Sequence, residues 1–178
     1  MSDTQKQHYA FVLMGVSGSG KSAVANGVAQ QLGAAFLDGD FLHPRANIQK
    51  MAAGHALNDQ DRTPWLTALN DAIFAMQRTN QVSLIVCSAL KKEYRDRLRD
   101  GNKNLFFLYM QGDFDLIESR LKSRKGHFFK PEMLVSQFQT LQEPSQDETD
   151  VRAIDIRLPL DEVIANTGAV IQHIVSGE

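Results

Sequence analysis

The sequence predicts an α/β fold, a five-stranded parallel sheet with helices on both faces. Three observations carry that prediction. Short runs that are apolar at nearly every position alternate with longer amphipathic runs, the pattern of strands buried on both sides and the helices that cover them. The 178 residues are enough for one sizeable core. No repeat, low-complexity tract or long linker divides them, so residues 1–178 read as a single domain.

Taken in order, "AFVLM" (Ala10–Met14) is a buried strand, followed by a glycine-rich stretch and a helix over "KSAVANGVAQQL". "AAFLD" (Ala34–Asp38) is a second strand. "NIQKMAAG" and "TPWLTALNDAIFAMQR" read as helices, with Thr63 placed to cap the second and Pro64 in its first turn. On that helix Trp65, Leu66, Leu69 and Phe74 fall at core spacing. "VSLIVCSAL" (Val82–Leu90) is a third strand, before a charged helix closed by Gly101. "LFFLYM" (Leu105–Met110) is a fourth, followed by the helix "FDLIESRLKSR". After a basic, aromatic segment comes a helix ending near Leu141. "VRAIDI" (Val151–Ile156) is the fifth strand and "LDEVIANTGAVIQHIV" the closing helix. The acidic "EPSQDETD" (Glu143–Asp150) reads as a surface loop.

Composition narrows the classes. Hydrophobic residues at 43% and charged residues at 22% exclude a disordered or fibrous chain. A formal charge of −2 gives no electrostatic reason to expect nucleic acid or an anionic membrane as partner. No apolar run approaches the ~20 residues of a membrane span. The polar opening "MSDTQKQHY" lacks the apolar region of a secretory signal, and Cys87 alone cannot form an intrachain disulfide. A cytoplasmic location is expected. Cys87 lies inside a strand and reads as packing. His8, His55 and His173 have no metal-ligand spacing, so zinc is not expected.

The stretch "FVLMGVSGSGKS" (Phe11–Ser22) joins a strand to a helix through G-x-x-x-x-G-K-S, with Gly15, Gly20, Lys21 and Ser22 at the fixed positions. This is the P-loop pattern. Its backbone, with Val16, Ser17, Gly18 and Ser19 between, can turn consecutive N–H groups onto phosphate oxygens of ATP. The helix N-terminus adds its positive dipole end. Lys21 is placed for the β- and γ-phosphates and Ser22 for Mg²⁺. There is no N-K-x-D guanine motif, and the third strand carries no acidic residue after its apolar run. Acid stands instead in "FLDGDFLHP", where Asp38 and Asp40 flank Gly39 at a strand end. One carboxylate can serve Mg²⁺ and the other an attacking hydroxyl. An Asp-Gly turn of no catalytic consequence is the competing reading.

"MGVSGSGKS", "LDGDFLHP", "LNDQDRTPWL", "CSALKKEYR" and "RKGHFF", in this order from Val12 to Pro159, resemble the bacterial gluconokinase family, among the small-molecule P-loop kinases related to shikimate kinase. The resemblance implies a P-loop kinase domain with a mobile helical lid over about residues 121–141. It implies phosphorylation of D-gluconate at its 6-hydroxyl by ATP with Mg²⁺, and a possible homodimer. Asp38 would then stand near Mg²⁺ and Asp40 near the acceptor hydroxyl. For the substrate, a sugar acid, the residues implied are Asp40, His43, Arg62, Ser88, Lys91, Arg95 and His127, with Arg95 first for the carboxylate because its donors are bidentate. The other basic residues of "KKEYRDRLR" read as a solvated face, and His43 stays open between a substrate contact and a structural role. Arg120 and Arg124, four apart, belong to the lid by analogy with related kinases, against the alternative of a solvated basic face. Two other readings remain: a shikimate- or nucleotide-type kinase, and a non-catalytic P-loop binding module. Adenine would fall by position near Arg157 to Pro159.

Overall fold

A computed structural model of the chain describes residues 6–124 and 130–177. Five strands, β1 (Tyr9–Met14), β2 (Ala35–Asp38), β3 (Val82–Val86), β4 (Leu105–Gln111) and β5 (Val151–Asp155), form one sheet in the order β2-β3-β1-β4-β5. Every pairing is parallel. Seven helices accompany them among the described residues: α1 (Lys21–Leu32), α2 (Arg45–Ala52), α3 (Asp59–Thr79), α4 (Lys92–Arg99), α5 (Phe114–Lys122), α6 (Pro131–Thr140) and α7 (Leu160–Ser176). The five expected strands are all present.

β1 is the centre. Phe11 lies level with Leu84 of β3 and Phe106 of β4, and Ala10 through Met14 have no solvent exposure. Its side chains alternate between two cores. Phe11 and Leu13 pack with Val24, Val28, Val163 and Ile171 from α1 and α7. Ala10, Val12 and Met14 face Trp65, Leu66, Leu69, Ile73 and Leu98 from α3 and α4. Both faces of the sheet are therefore covered, as a continuous apolar strand demands. The connection leaving β1 runs to β2 on one side, while β4 lies on the other, so the strand order reverses at β1. That reversal opens a crevice at the carboxyl ends of β1, β3 and β4.

Three expectations need correction. Helix α3 begins at Asp59, not at Thr63. Asn58 Oδ1 accepts the Asp61 N–H at 2.8 Å and Asp61 Oδ2 accepts the Asn58 N–H at 2.9 Å, a reciprocal cap that satisfies two otherwise orphaned donors. Thr63 is inside the helix, its hydroxyl bonded back to the Asp59 carbonyl, and Pro64 lies beyond the first turn. Phe74 is 52% exposed, and Ile73, one residue or about 100° round the helix, fills the core in its place. Arg95 is the third case. Its side chain is wholly buried, and Nε and Nη2 grip the two oxygens of Glu148 at 2.7 and 2.9 Å. Nη1 donates to the carbonyls of Ala89 and Leu90, and Nη2 also to that of Gln142. All five N–H groups are spent on the protein, so Arg95 has none for a substrate carboxylate.

The Arg95 hydrogen bonds hold the Glu148 carboxyl down at about 2. A depressed folded-state value means that this stabilisation is complete above the ordinary glutamate value of about 4.3. It is lost as the pH falls from there toward the folded value. Glu148→Ala is expected to cost about 3–5 kcal/mol, because Arg95 would be left charged and unpaired in the interior. Urea denaturation at neutral pH measures this, and repeating it down to pH 3 should show a flatter acid slope for the variant than for the parent chain.

Candidate active site

The P-loop occupies the crevice. Gly15 N–H bonds the Ser88 carbonyl at 3.1 Å, and Cys87 N–H bonds that of Leu13 at 3.2 Å, so the exits of β1 and β3 are stitched together where the loop begins. Gly18 has φ +81°, and a Cβ there would come within 2.7 Å of Leu121 on α5. Only glycine allows the loop both that conformation and that approach. Helix α1 then starts at Lys21, with Ser22 in its first turn and no acidic residue there to compete for an anion.

Lys21 bends back over the loop and donates to the carbonyls of Gly15 at 2.8 Å and Val16 at 3.0 Å. Burial lowers its pKa to about 8, against the opposing pull of Cys87, Asp40 and Asp38. Burial also pushes the Cys87 thiol up to about 12, so at neutral pH Cys87 is uncharged. The sheet register, with Asp38 level with Val86 and Val86 level with Leu13, puts the carboxylates after β2 on the same edge as the P-loop lysine.

The turn carrying those carboxylates is tightly held. Asp38 Oδ1 accepts the Asp40 N–H at 3.0 Å and caps a 3₁₀ turn over Gly39–Leu42, which sequence reading did not anticipate. A Cβ on Gly39 would lie 2.5 Å from the Val86 carbonyl, which explains the glycine between the two acids. The Gly39 carbonyl accepts the Trp65 indole N–H at 2.8 Å. His43 follows the turn, and its ring stacks on Trp65 with centroids 4.2 Å apart. Burial lowers the His43 pKa, with Asp40 opposing and Arg62 reinforcing the shift. The imidazole is neutral at neutral pH.

Arg62 and Lys91 meet at Tyr94, each cation 5.5 Å from the ring centroid. Arg62 Nη1 donates to the Leu57 carbonyl at 2.9 Å and to Tyr94 Oη at 3.3 Å. Tyr94 Oη donates in turn to Asp59 Oδ1 at 2.5 Å, and Lys91 Nζ donates to both Asp59 oxygens. Tyr94 and then Lys91 hold the Asp59 carboxyl below its usual range, and Asp59 raises Lys91. Asp59 therefore offsets the Lys91 charge. Arg62 keeps Nε and Nη2 without hydrogen bonds among the described residues. Tyr94 and Asp59 were not singled out in the sequence; a tyrosine in a charged helix and an acid at a helix start give no pattern to read.

Beyond the P-loop, Arg120 is half-buried on α5 and its Nη2 donates to the Leu158 carbonyl at 3.4 Å, in the loop after β5. Arg124 is exposed two residues past the end of α5, so the two arginines do not share one helix. His127 lies outside the described residues. A further contact had no sequence signal at all. Gln137 on α6 accepts the Ser17 N–H with Oε1 at 2.6 Å and donates through Nε2 to Ser17 Oγ at 2.9 Å. It ties the helix beyond the basic segment to the rim of the P-loop.

The family description "Shikimate kinase" fits residues 17–172. The chain is 72% identical to the thermoresistant gluconokinase of Escherichia coli (strain K12) over 97% of its own length and 98% of that protein's. It is 50% identical to the thermosensitive gluconokinase of the same organism, over 83% of its own length and 79% of that protein's. Among solved structures, a gluconokinase from Sinorhizobium meliloti 1021 superposes with a TM-score of 0.85 at 36% identity, covering 97% of each chain. With the P-loop, the capped Asp38-Gly39-Asp40 turn and the parallel sheet already in place, these likenesses make the chain a member of the gluconokinase family.

Proposed function

We propose that the chain transfers the γ-phosphoryl group of ATP to the 6-hydroxyl of D-gluconate, giving 6-phospho-D-gluconate and ADP. The observation that carries this reading is the register of the sheet, which sets Asp38 level with Val86 and Leu13 and so brings the Asp38-Gly39-Asp40 turn to the same edge as the phosphate cradle. The relatives named gluconokinase supply the choice of acceptor.

The roles follow from donors and charges. The N–H groups of Gly18, Gly20, Lys21 and Ser22, with the amino end of α1, receive the phosphates, while those of Gly15, Ser17 and Ser19 hold the loop in shape. Lys21 exchanges its own loop carbonyls for phosphate oxygens, where its charge is more valuable. Asp40 accepts a hydrogen bond from the attacking hydroxyl, orienting it in line. The hydroxyl oxygen bonds phosphorus as the bond to the β-phosphate oxygen breaks, and the released proton passes by way of Asp40 to water. Such transfer asks for positioning more than for a strong base. Ser22 and Asp38 form an all-oxygen donor set of the kind Mg²⁺ takes alongside waters and phosphate oxygens. Mg²⁺, when bound there, would offset phosphate charge.

Arg62 takes the place first given to Arg95, since its Nε and Nη2 are the guanidinium groups left to bind a carboxylate. Lys91, His43 and Ser88 complete the acceptor side. Arg120 and Arg124 serve a lid over about residues 121–141 that closes on ATP and steadies the charge in transfer, and His127, outside the described residues, is kept as a substrate contact. The adenine lies toward the loop after β5, against the Arg120–Leu158 contact. One domain over residues 1–178, a cytoplasmic location and a homodimer complete the proposal.

ADP release with MgATP and a panel of D-gluconate, other aldonates, shikimate, AMP and CMP tests the substrate. Strong turnover with D-gluconate is expected, and turnover with shikimate or a nucleotide in its stead would replace this reading. Asp40→Asn should lower kcat about 10²–10⁴-fold while ATP affinity is retained; a variant that turns over normally removes Asp40 from the chemistry. Arg62→Ala should raise the KM for gluconate by about 10-fold or more with little change in that for ATP, the worth of a charge-assisted hydrogen bond. An unchanged KM would return the carboxylate to Lys91.

A further inference from the structure

Asn47 is 97% buried by its relative exposure of 3%, a polar side chain for which the mechanism above has no use. Its Nδ2 lies 2.8 Å from the Asp61 carbonyl and 3.2 Å from Nδ1 of His43. A carbonyl oxygen can only accept, so the atom facing Asp61 must be the amide nitrogen. Turning the amide over would set two oxygens against each other in a dry site. The amide's second proton then points at His43 Nδ1, and a ring nitrogen that accepts carries no proton of its own. A neutral imidazole so held must carry its proton on Nε2. The stack on Trp65, with planes 15° apart, fixes the orientation of the ring, and Trp65 is itself anchored to the Gly39 carbonyl.

We infer that Asn47 is a positioning residue that locks His43 in the Nε2–H tautomer, so that His43 serves the acceptor site as a hydrogen-bond donor. Nε2 has no partner among the described residues. The backbone N–H of His43 bonds the Asp40 carbonyl at 3.3 Å, so the two side chains leave a single turn. Asp40 accepts and Nε2–H donates. An alcohol can answer both at once, giving its proton toward the carboxylate and taking the imidazole N–H on its oxygen; a carbonyl or a methylene cannot. The substrate half of this inference rests on the proposed sugar-acid reading, while the tautomer half stands on the geometry alone.

Nitrogen-15 NMR of the imidazoles in the intact protein tests the tautomer without any substrate. The expected His43 pattern is a pyridine-type Nδ1 and a pyrrole-type Nε2, and the opposite pattern in the parent chain overturns the inference. Asn47→Asp offers Nδ1 a carboxylate in place of a donor, and should move the proton onto Nδ1. Asn47→Ala should leave a tautomer mixture, with thermal melts showing that each variant is folded. The substrate half is read from His43→Gln, whose amide N–H reaches the Nε2 position, and His43→Asn, whose amide reaches only Nδ1. His43→Gln should keep KM for gluconate within a few-fold, while His43→Asn raises it about tenfold, the worth of one hydrogen bond. Equal KM values would remove the donor role. A chain that phosphorylates no sugar acid yet shows the Nε2–H tautomer would sink the functional reading and leave the Asn47 lock in place.

Discussion

Every feature of the site depends on the reversal of strand order at β1. A central strand with β3 on one side and β4 on the other cannot be followed by its neighbour in sequence, because the chain must leave toward β2. Its carboxyl end is therefore uncovered by any direct crossover, and the P-loop fills the gap. The two bonds between the exits of β1 and β3 make this opening a rigid frame. The glycine loop is free to turn its amides outward because its ends are fixed to the sheet. The P-loop thus obtains its order from the strands, and its own residues need only permit the conformation.

Arg95 shows how support of this kind reaches the site from a distance. Ala89 adopts a left-handed backbone conformation at φ +46°, which a residue with a Cβ holds only under constraint, at a cost of order 1–3 kcal/mol. The Arg95 guanidinium binds the Ala89 and Leu90 carbonyls and is itself fixed by Glu148. The preceding residue, Ser88, is the one whose carbonyl receives the Gly15 N–H. The buried ion pair therefore braces the turn that braces the P-loop. An arginine near a substrate mouth was reasonable in the sequence; that it faces inward depends on Glu148, more than fifty residues later in a loop that reads as plain acidic surface.

That contrast marks what could be read from the chain alone. The strands, the P-loop and the Asp38-Gly39-Asp40 turn were legible, because each rests on local chemistry: apolar runs, glycine freedom, acids at a strand end. The start of α3 was misplaced by a competition between two local signals, in which the reciprocal Asn58–Asp61 cap outweighs the Thr63-Pro64 pair. The contacts of Gln137 with Ser17, of Asn47 with His43 and of Tyr94 with Asp59 were invisible for a different reason. They join ordinary polar residues through the tertiary fold, and neither partner advertises the other. Trp65 combines both cases: its spacing correctly places it in the core, yet nothing in that spacing says that its N–H holds Gly39 or its face holds His43.

The ground state of Lys21 follows from the same economy of donors. A part-buried ammonium must find acceptors, and Lys21 has them in the carbonyls of Gly15 and Val16. Those bonds curl the side chain over the loop that it later serves. Burial favours its neutral form, while Asp38 and Asp40 favour the charged one, and the balance leaves the pKa near 8. An arriving polyphosphate would add negative charge to the carboxylates' side of that balance and supply better acceptors than neutral carbonyls. The lysine would then gain charge and change partners in one step. The phosphate side of the site and the acids after β2 thus act on the charge of a single ammonium group.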